Sequence, residues 1–277
     1  MIARSCPRSL TRADYPYCSS LKNIRGPTRR RGPLFHKTAN LYVLWDDRCI
    51  INQFPEFLQV LTEGLTAMKK VACYVDGFNL YHAINETKNN RLKWLNLNLL
   101  ARTFLRADEK IYRVCYFTAL MIWDREKSQR HKEYIAALKS VEVECIISKF
   151  QKTNKHCQSA QKYCNFYEEK QTDVAVSARI ISDCIVNNID RVILITADSD
   201  QVPTVATIRG LQPQISILVA APPGRIKIAK ELCHVAHESR EISIGRLEKC
   251  LFPRNVLDGS GKIIARSPSK YQPARLP

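Results

Sequence analysis

Four aspartates stand where an apolar run of this sequence ends or where a helix is predicted to begin. One follows residues 71–75, two follow residues 192–196, and one opens a predicted helix over 173–187. Carboxylates that share a pocket repel one another unless a cation joins them, and such hard oxygen ligands suit Mg²⁺ or Mn²⁺. A metal held in this way activates water and stabilises the departing oxygen of a phosphodiester. The four residues are Asp76, Asp173, Asp198 and Asp200.

Each of these aspartates also has a purely structural explanation. Asp76 would begin a turn, and the other three would cap a helix or place a negative charge at its N-terminus. Taken singly, each residue fits the structural explanation well. The metal site is favoured only if the four carboxylates converge, which depends on the elements that carry them.

Short apolar segments alternate with segments of helical spacing from residue 70 onward. The predicted strands cover residues 71–75, 111–119, 141–148, 192–196 and 215–220. The predicted helices cover residues 79–88, 96–105, 125–139, 173–187, 201–210, 226–236 and 244–251. Strands that are apolar on both faces and alternate with helices indicate an α/β fold, with a parallel Rossmann-like sheet of about five strands covered on both faces. Ligands of such sheets bind at the carboxyl ends of the strands, where the aspartates lie.

Composition divides the chain into three parts. Residues 1–67 are rich in arginine and proline and lack a sustained pattern, so we predict a disordered or non-native N-terminal extension. Met68 is the start that we favour, and a flexible basic tail that adds nucleic-acid affinity is the alternative. Residues 68–255 form the predicted catalytic domain. Residues 256–277 contain scattered glycines and prolines and are predicted to be an extended tail.

The chain is strongly basic, with 43 Lys and Arg against 26 Asp and Glu and a net charge of +17. A basic surface of this kind favours a polyanionic partner such as nucleic acid, although solubility alone would also explain it. No apolar stretch is long enough to predict a membrane span, and the first thirty residues lack the apolar core of a secretory signal. We therefore expect a cytoplasmic protein, and among its 11 cysteines those inside apolar runs, Cys73, Cys115, Cys145 and Cys184, are predicted to be buried free thiols. The sequence leaves a homo-oligomer open.

Two groups of basic residues are candidates for contact with the nucleic acid. Arg225 and Lys227 follow the fifth predicted strand, at the same edge as the aspartates. Lys152 and Lys155 lie in the polar segment 149–170, which we predict to be a basic loop. Its lysines and aromatic rings would suit the phosphates and bases of single-stranded RNA, and a solvated loop with packed rings is the alternative.

Three blocks of the sequence resemble the signature blocks of NYN domains, which are PIN-like metal-dependent ribonucleases. They are residues 75–80 (Val-Asp-Gly-Phe-Asn-Leu), 169–174 (Glu-Lys-Gln-Thr-Asp-Val) and 196–203 (Thr-Ala-Asp-Ser-Asp-Gln-Val-Pro). The resemblance extends over about residues 69–260. It implies a PIN-like fold, a metal site formed by the four aspartates, and a position for Asn79 beside the metal water or the scissile phosphate. Ala197 replaces the glycine that is common in the family.

The sequence therefore predicts a metal-dependent ribonuclease that hydrolyses RNA phosphodiester bonds with Mg²⁺ or Mn²⁺. The alternative is a catalytically weak PIN-like module that binds nucleic acid in a larger assembly. A phosphatase with an aspartate nucleophile is disfavoured because Phe78 stands where its second aspartate would be. A nucleotide-dependent dehydrogenase is disfavoured because no Gly-x-Gly-x-x-Gly follows the first strand.

Overall fold

The structure is a computed structural model that describes residues 36–38, 41–43, 68–157 and 162–272. The chain divides into two units, residues 1–66 and residues 67–277. In the first unit, strands β1 (His36–Thr38) and β2 (Leu41–Val43) pair in antiparallel fashion. Apart from these strands, the prediction for residues 1–67 lies outside the described residues.

The second unit is built on a seven-stranded, mostly parallel sheet in the order β6-β5-β4-β3-β7-β8-β9. Only β6 runs antiparallel to its neighbour. The strands are β3 (Lys69–Asp76), β4 (Glu109–Ala119), β5 (Val143–Cys157), β6 (Lys162–Lys170), β7 (Arg191–Ile195), β8 (Ser216–Ala221) and β9 (Glu238–Glu241). The α/β class agrees with the prediction, but the sheet has seven strands in place of about five.

The additional strands lie at the two edges of the sheet, where strand sequences are least apolar. The prediction of a basic loop over residues 149–170 is wrong. The first part of this segment continues β5 and pairs with β6, from Lys149 opposite Lys170 to Cys157 opposite Lys162. This arm extends beyond the part of β5 that pairs with β4, which ends at Ser148. Because the arm is polar along its length, it carries no apolar alternation from which a strand could be predicted.

The central strands are buried on both faces, as expected for a covered parallel sheet. In β3, Val71, Cys73 and Val75 belong to one hydrophobic cluster, while Ala72 and Tyr74 belong to the cluster on the opposite face. All five side chains are fully buried. This alternation places a separate apolar layer on each face of the sheet and accounts for the continuous apolar runs in the sequence.

Helices cover both layers. The first layer receives α1 (Gly77–Glu86), α2 (Leu97–Arg102), α3 (Arg125–Lys139) and α7 (Ile244–Glu248). The second layer receives α4 (Thr172–Val186), α5 (Val202–Leu211) and α6 (Lys230–Val235). Within residues 68–157 and 162–272, no helix has the length and apolar character needed to cross a bilayer.

The C-terminal segment differs from the extended tail that its composition predicted. Strands β10 (Asn255–Leu257) and β11 (Ile263–Arg266) form an antiparallel hairpin in which Val256 lies opposite Ala265. Both of these side chains are buried in the first apolar layer. The glycines that suggested an extended tail lie in the turn of the hairpin, and the prolines follow its second strand.

A buried polar network holds α4 against the sheet. Asp183 accepts hydrogen bonds from the Tyr74 hydroxyl and from Arg113, each at 2.8 Å, and its side chain is also paired with Arg179. Burial, and then the charge of Asp183, raise the pKa of Tyr74 well above its usual range. Asp183 therefore has a structural role, and it fixes the helix that carries Asp173 toward the sheet edge.

Candidate metal centre

Three of the four predicted aspartates meet at the carboxyl edge of the sheet. Asp173 lies in the first turn of α4, Asp198 follows β7, and Asp200 lies in the 3₁₀ turn Ser199–Gln201. One carboxylate oxygen from each lies within 4.8 Å of the others. Asp173 and Asp200 are exposed and Asp198 is half-buried, so a solvated cation and a substrate both have access to the group.

A set of hydrogen bonds between α4 and α5 keeps these carboxylates together. Gln201 is buried; its Nε2 donates to the Asp173 carbonyl at 3.3 Å, and its Oε1 accepts from the Ser177 hydroxyl at 3.2 Å. Thr204 donates to the Ser177 hydroxyl at 2.8 Å. The start of α4 is thereby tied to the turn that contains Asp198 and Asp200.

Two of the aspartates also perform the capping role that the sequence left open. Asp76 Oδ1 accepts from the Asn79 backbone N–H, and Asp198 Oδ1 accepts from the Asp200 backbone N–H, both at 3.0 Å. A carboxylate has about four lone-pair sites, so one capping bond leaves most of its capacity free. The capping bonds fix how these carboxylates point and are compatible with a metal site.

Asp76 lines the same pocket as Asp173 and Asp198 but stands outside the group of three carboxylates. It is 7% exposed, and its Oδ2 accepts from the Thr196 hydroxyl at 2.9 Å. Burial raises the pKa of Asp76, and the charges of Asp173 and Asp198 add to the rise, while the hydrogen bonds from Asn79 and Thr196 oppose it. The negative field of the cluster therefore reaches Asp76.

Asn79 joins α1 to the loop after β7, because its Oδ1 accepts from the Ala197 backbone N–H at 3.0 Å. It lines the pocket. Thr196, which the sequence did not single out, is fully buried and also accepts from the Asp198 N–H at 3.1 Å. Thr196 could have been recognised in the sequence as a hydroxyl residue at the end of an otherwise apolar strand, next to the acidic residues.

The pocket above the aspartates has a volume of about 420 Å³. Arg225 lies in its wall and forms an ion pair with Glu86. The Arg225 Nε is buried and has no hydrogen-bond partner within the part of the chain that the structure describes. A cation thus lines the same pocket as Asp173 and Asp198, and the sequence did not predict its partner Glu86.

The other predicted basic residues lie apart from this pocket. Lys227 and Lys152 are exposed, and neither is among the described residues that line it. Lys152 pairs with Tyr167 in the β5–β6 arm, and Lys155 lies opposite Cys164 in the same arm. The arm adjoins the site through aromatic rings: Phe150 contacts Phe78 at 5.8 Å between ring centroids, and Phe78 lines the pocket.

The donor set fits a hard divalent cation. All of the converging ligand atoms in the described residues are carboxylate oxygens, which Mg²⁺ and Mn²⁺ prefer over nitrogen or sulfur donors. Asp173, Asp198 and Asp200 are the residues that would hold the ion. Their carboxylates come from two segments of the chain and are pre-arranged by the bonds to Gln201.

We expect Asp198→Asn to stabilise the protein in EDTA. Partial burial, and then the charges of Asp198 and Asp200, raise the pKa of Asp173. A carboxyl group whose pKa is raised on folding contributes stability at low pH that is lost as the pH rises from about 4 through that pKa. Without the Asp198 charge the pKa of Asp173 is raised less, so the variant should lose less stability over this pH range. Relief of roughly 0.5–1 kcal/mol would raise the melting temperature at pH 7 by about 1–4 °C.

Thermal melts in EDTA at pH 4 and pH 7 measure this effect. Saturating Mg²⁺ should reverse the order, because only the wild type retains the full set of ligands for the ion. Equal melting temperatures for the wild type and the variant in EDTA would contradict the repulsion.

Comparison with known proteins identifies a family. The model of the NYN domain matches residues 70–243, which contain all four aspartates. A protein from Pseudomonas putida (strain DSM 28022 / S16), 6-hydroxy-3-succinoylpyridine 3-monooxygenase HspA, is 25% identical over 220 residues, covering 65% of this chain and 69% of that protein. A solved structure of a protein of unknown function from Vibrio parahaemolyticus RIMD 2210633 aligns with a TM-score of 0.45 and 18% identity, over 64% of this chain and 95% of that chain.

Proposed function

This chain belongs to the NYN domain family, and we propose that it is a metal-dependent ribonuclease that hydrolyses phosphodiester bonds of single-stranded RNA at the aspartate cluster. The observation that carries the proposal is the approach of Asp173, Asp198 and Asp200 to within 4.8 Å at the carboxyl edge of the sheet. Like charges this close are costly without a cation, so the arrangement favours metal binding.

In this proposal Asp173, Asp198 and Asp200 hold Mg²⁺ or Mn²⁺, with Asp76 as the fourth carboxylate of the site. The bound ion would lower the pKa of a coordinated water and stabilise the departing oxygen. Asp76 keeps a fixed orientation through Thr196 and Asn79 and provides an acceptor for a proton of the attacking water.

The phosphate chain would be bound by cations around the carboxylates. Arg225 lies in the pocket wall and is held there by Glu86, so its guanidinium is placed to contact a phosphate oxygen in the pocket. Lys227 and the arm residues Lys152 and Lys155 would contact phosphates farther along the strand. The net charge of +17 supplies the long-range attraction that such contacts need.

Incubation of the full chain with labelled single-stranded RNA, in Mg²⁺, in Mn²⁺ and in EDTA, tests the proposal. We expect cleavage with either metal and none in EDTA, with activity restored when excess metal is added back. RNA binding measured in EDTA distinguishes a protein that binds RNA without cutting it from a protein that does not bind RNA. Binding without cleavage under every metal would reject the ribonuclease and support a module that only binds nucleic acid.

A further inference from the structure

A second pocket, of about 380 Å³, opens beside the aspartate pocket. Phe78 lines both, so its ring forms the partition between them. The second pocket lies between α1 and α3, and its floor includes Tyr116 of β4. Gly77 permits this packing, because a Cβ there would lie 2.4 Å from the Phe117 carbonyl oxygen and 2.7 Å from the Tyr116 ring.

The walls of this pocket present flat, neutral rings. Four tyrosines line it, together with His131, whose Nε2 lies 3.2 Å from the Thr118 hydroxyl. Burial lowers the pKa of His131 to about 4, so the imidazole is uncharged at neutral pH. Aromatic faces of this kind stack on nucleobases without strong dependence on sequence. The tyrosines are Tyr81, Tyr116, Tyr134 and Tyr271.

The mouth of the pocket is positively charged. Four cations line it, and no Asp or Glu is among the described residues that do so, although Lys127 pairs with Asp124 and Arg130 with Glu126 outside the lining. The Lys93 ammonium lies 4.9 Å above the centre of the Tyr81 ring and donates to Asn85 at 2.7 Å. Burial, and then the charges of Lys270 and Arg130, lower the pKa of Lys93. Cations that crowd one another in this way favour a bound anion. The four are Lys93, Lys127, Arg130 and Lys270.

We propose that this pocket binds one nucleotide of the RNA strand, adjacent to the phosphodiester that lies at the aspartate cluster. The base packs against Tyr81 and Tyr271, and a flanking phosphate is bound by Lys93, Arg130 and Lys270. The inference rests on the proposed function and assigns part of its substrate-binding surface. A purely apolar ligand would not account for the cations, and a bare anion would not account for the rings, whereas a nucleotide matches both.

The position beside Phe78 favours a nucleotide within a strand over a free one. A strand that crosses this ring would place one phosphate over the aspartates while its neighbouring base enters the second pocket. The pocket would then set the register of the cut. Its volume is within the range of sites that enclose a small organic group.

The first test is the salt dependence of binding of a fluorescently labelled single-stranded RNA to the full chain in EDTA. Each phosphate contact contributes about 0.7 to the slope of log affinity against log salt for a single strand. We expect the double variant Lys93→Gln/Lys270→Gln to reduce that slope by up to about 0.7, because both lysines bind the same phosphate. The matched control, Lys110→Gln/Lys139→Gln, removes two exposed lysines at the opposite edge of the sheet and should leave the slope unchanged.

The second test concerns the rings. Tyr81 is 43% exposed, so Tyr81→Ala should fold normally. It should bind the RNA about tenfold more weakly or worse, as expected when a base loses its stacking partner, whereas Tyr81→Phe should bind like the wild type. Equal affinity for Tyr81→Ala and the wild type would overturn the proposal, as would a slope that changes equally in the two lysine double variants.

Binding of AMP and of UMP alone, also in EDTA, separates a substrate subsite from a site for a free nucleotide. We expect each to bind much more weakly than the RNA; tighter binding of either would overturn the assignment to the strand. Because these measurements exclude metal, their outcome does not depend on cleavage. If the protein never cuts RNA but the variants show the expected losses of binding, the assignment of the pocket stands and the ribonuclease proposal is rejected. If the protein cuts RNA but the variants bind it like the wild type, the ribonuclease proposal stands and the assignment of the pocket is rejected.

Discussion

Asp173→Asn and Asp200→Asn should each lower kcat/KM for RNA cleavage by at least about a thousandfold, while the proteins remain folded. Each substitution replaces a charged ligand with a neutral one of nearly the same shape. A loss of about 4 kcal/mol of transition-state stabilisation, within the range supplied by a catalytic metal, corresponds to this factor. Cleavage of labelled single-stranded RNA in saturating Mn²⁺, followed over time, provides the rates.

In EDTA, Asp173→Asn and Asp200→Asn should not weaken RNA binding. Removal of a negative charge from the pocket should leave the affinity for RNA unchanged or increase it, because the partner is a polyanion. The matched control is Asp108→Asn, which makes the same change at an exposed residue paired with Lys69 at the amino edge of the sheet. Cleavage that persists in both cluster variants at the wild-type rate would show that the activity arises elsewhere or from a contaminant.

The parallel sheet was predictable because its central strands carry their signal locally. Residues 71–75 are apolar throughout and residues 192–196 at every position but the last, as expected of strands covered on both faces. The aspartates were proposed by the same reasoning, since each stands at or shortly after the end of a strand or at the start of a helix. The match to the NYN domain confirms the resemblance that these blocks suggested.

The β5–β6 arm could not be predicted in this way. Its strands pair with each other, and exposed residues such as Tyr163 and Lys152 contribute no apolar alternation. Strand pairing is a property of two segments together, whereas periodicity reports on one segment at a time. The same limit hid β9, whose four residues are largely exposed and are placed by their pairing with β8.

The second pocket was hidden by distance along the chain. Its walls combine Gly77 near the start of the domain with Tyr271 near its end, and no motif joins them. The ordered C-terminal hairpin is what leads the chain back to this face, and its composition had indicated an extended tail. Sites formed at strand ends follow from topology, while a pocket assembled from side chains depends on packing that only the folded chain reveals.

Arg191→Met is expected to reduce the free energy of unfolding by about 3–5 kcal/mol. The Arg191 side chain is 2% exposed and donates to Glu109 at 2.8 Å and to the Phe104 carbonyl at 3.0 Å. It also lies 3.6 Å from Glu238. Its removal would leave the Glu109 carboxylate buried without its main cation, and an uncompensated buried charge is strongly destabilising.

Urea denaturation of three variants separates this cause from lost packing. The double variant Arg191→Met/Glu109→Gln removes both charges but keeps an acceptor for the Arg106 N–H, so it should recover a large part of the loss. Arg240→Met removes an exposed arginine that pairs with the same Glu238 and should change stability by less than about 1 kcal/mol. A double variant no more stable than Arg191→Met would assign the loss to packing. Arg191, Glu109 and Glu238 are the first residues of β7, β4 and β9, respectively. The expected result would therefore show that charge pairing at the amino edge holds these strands in register. The approach of the aspartates at the carboxyl edge depends on that register.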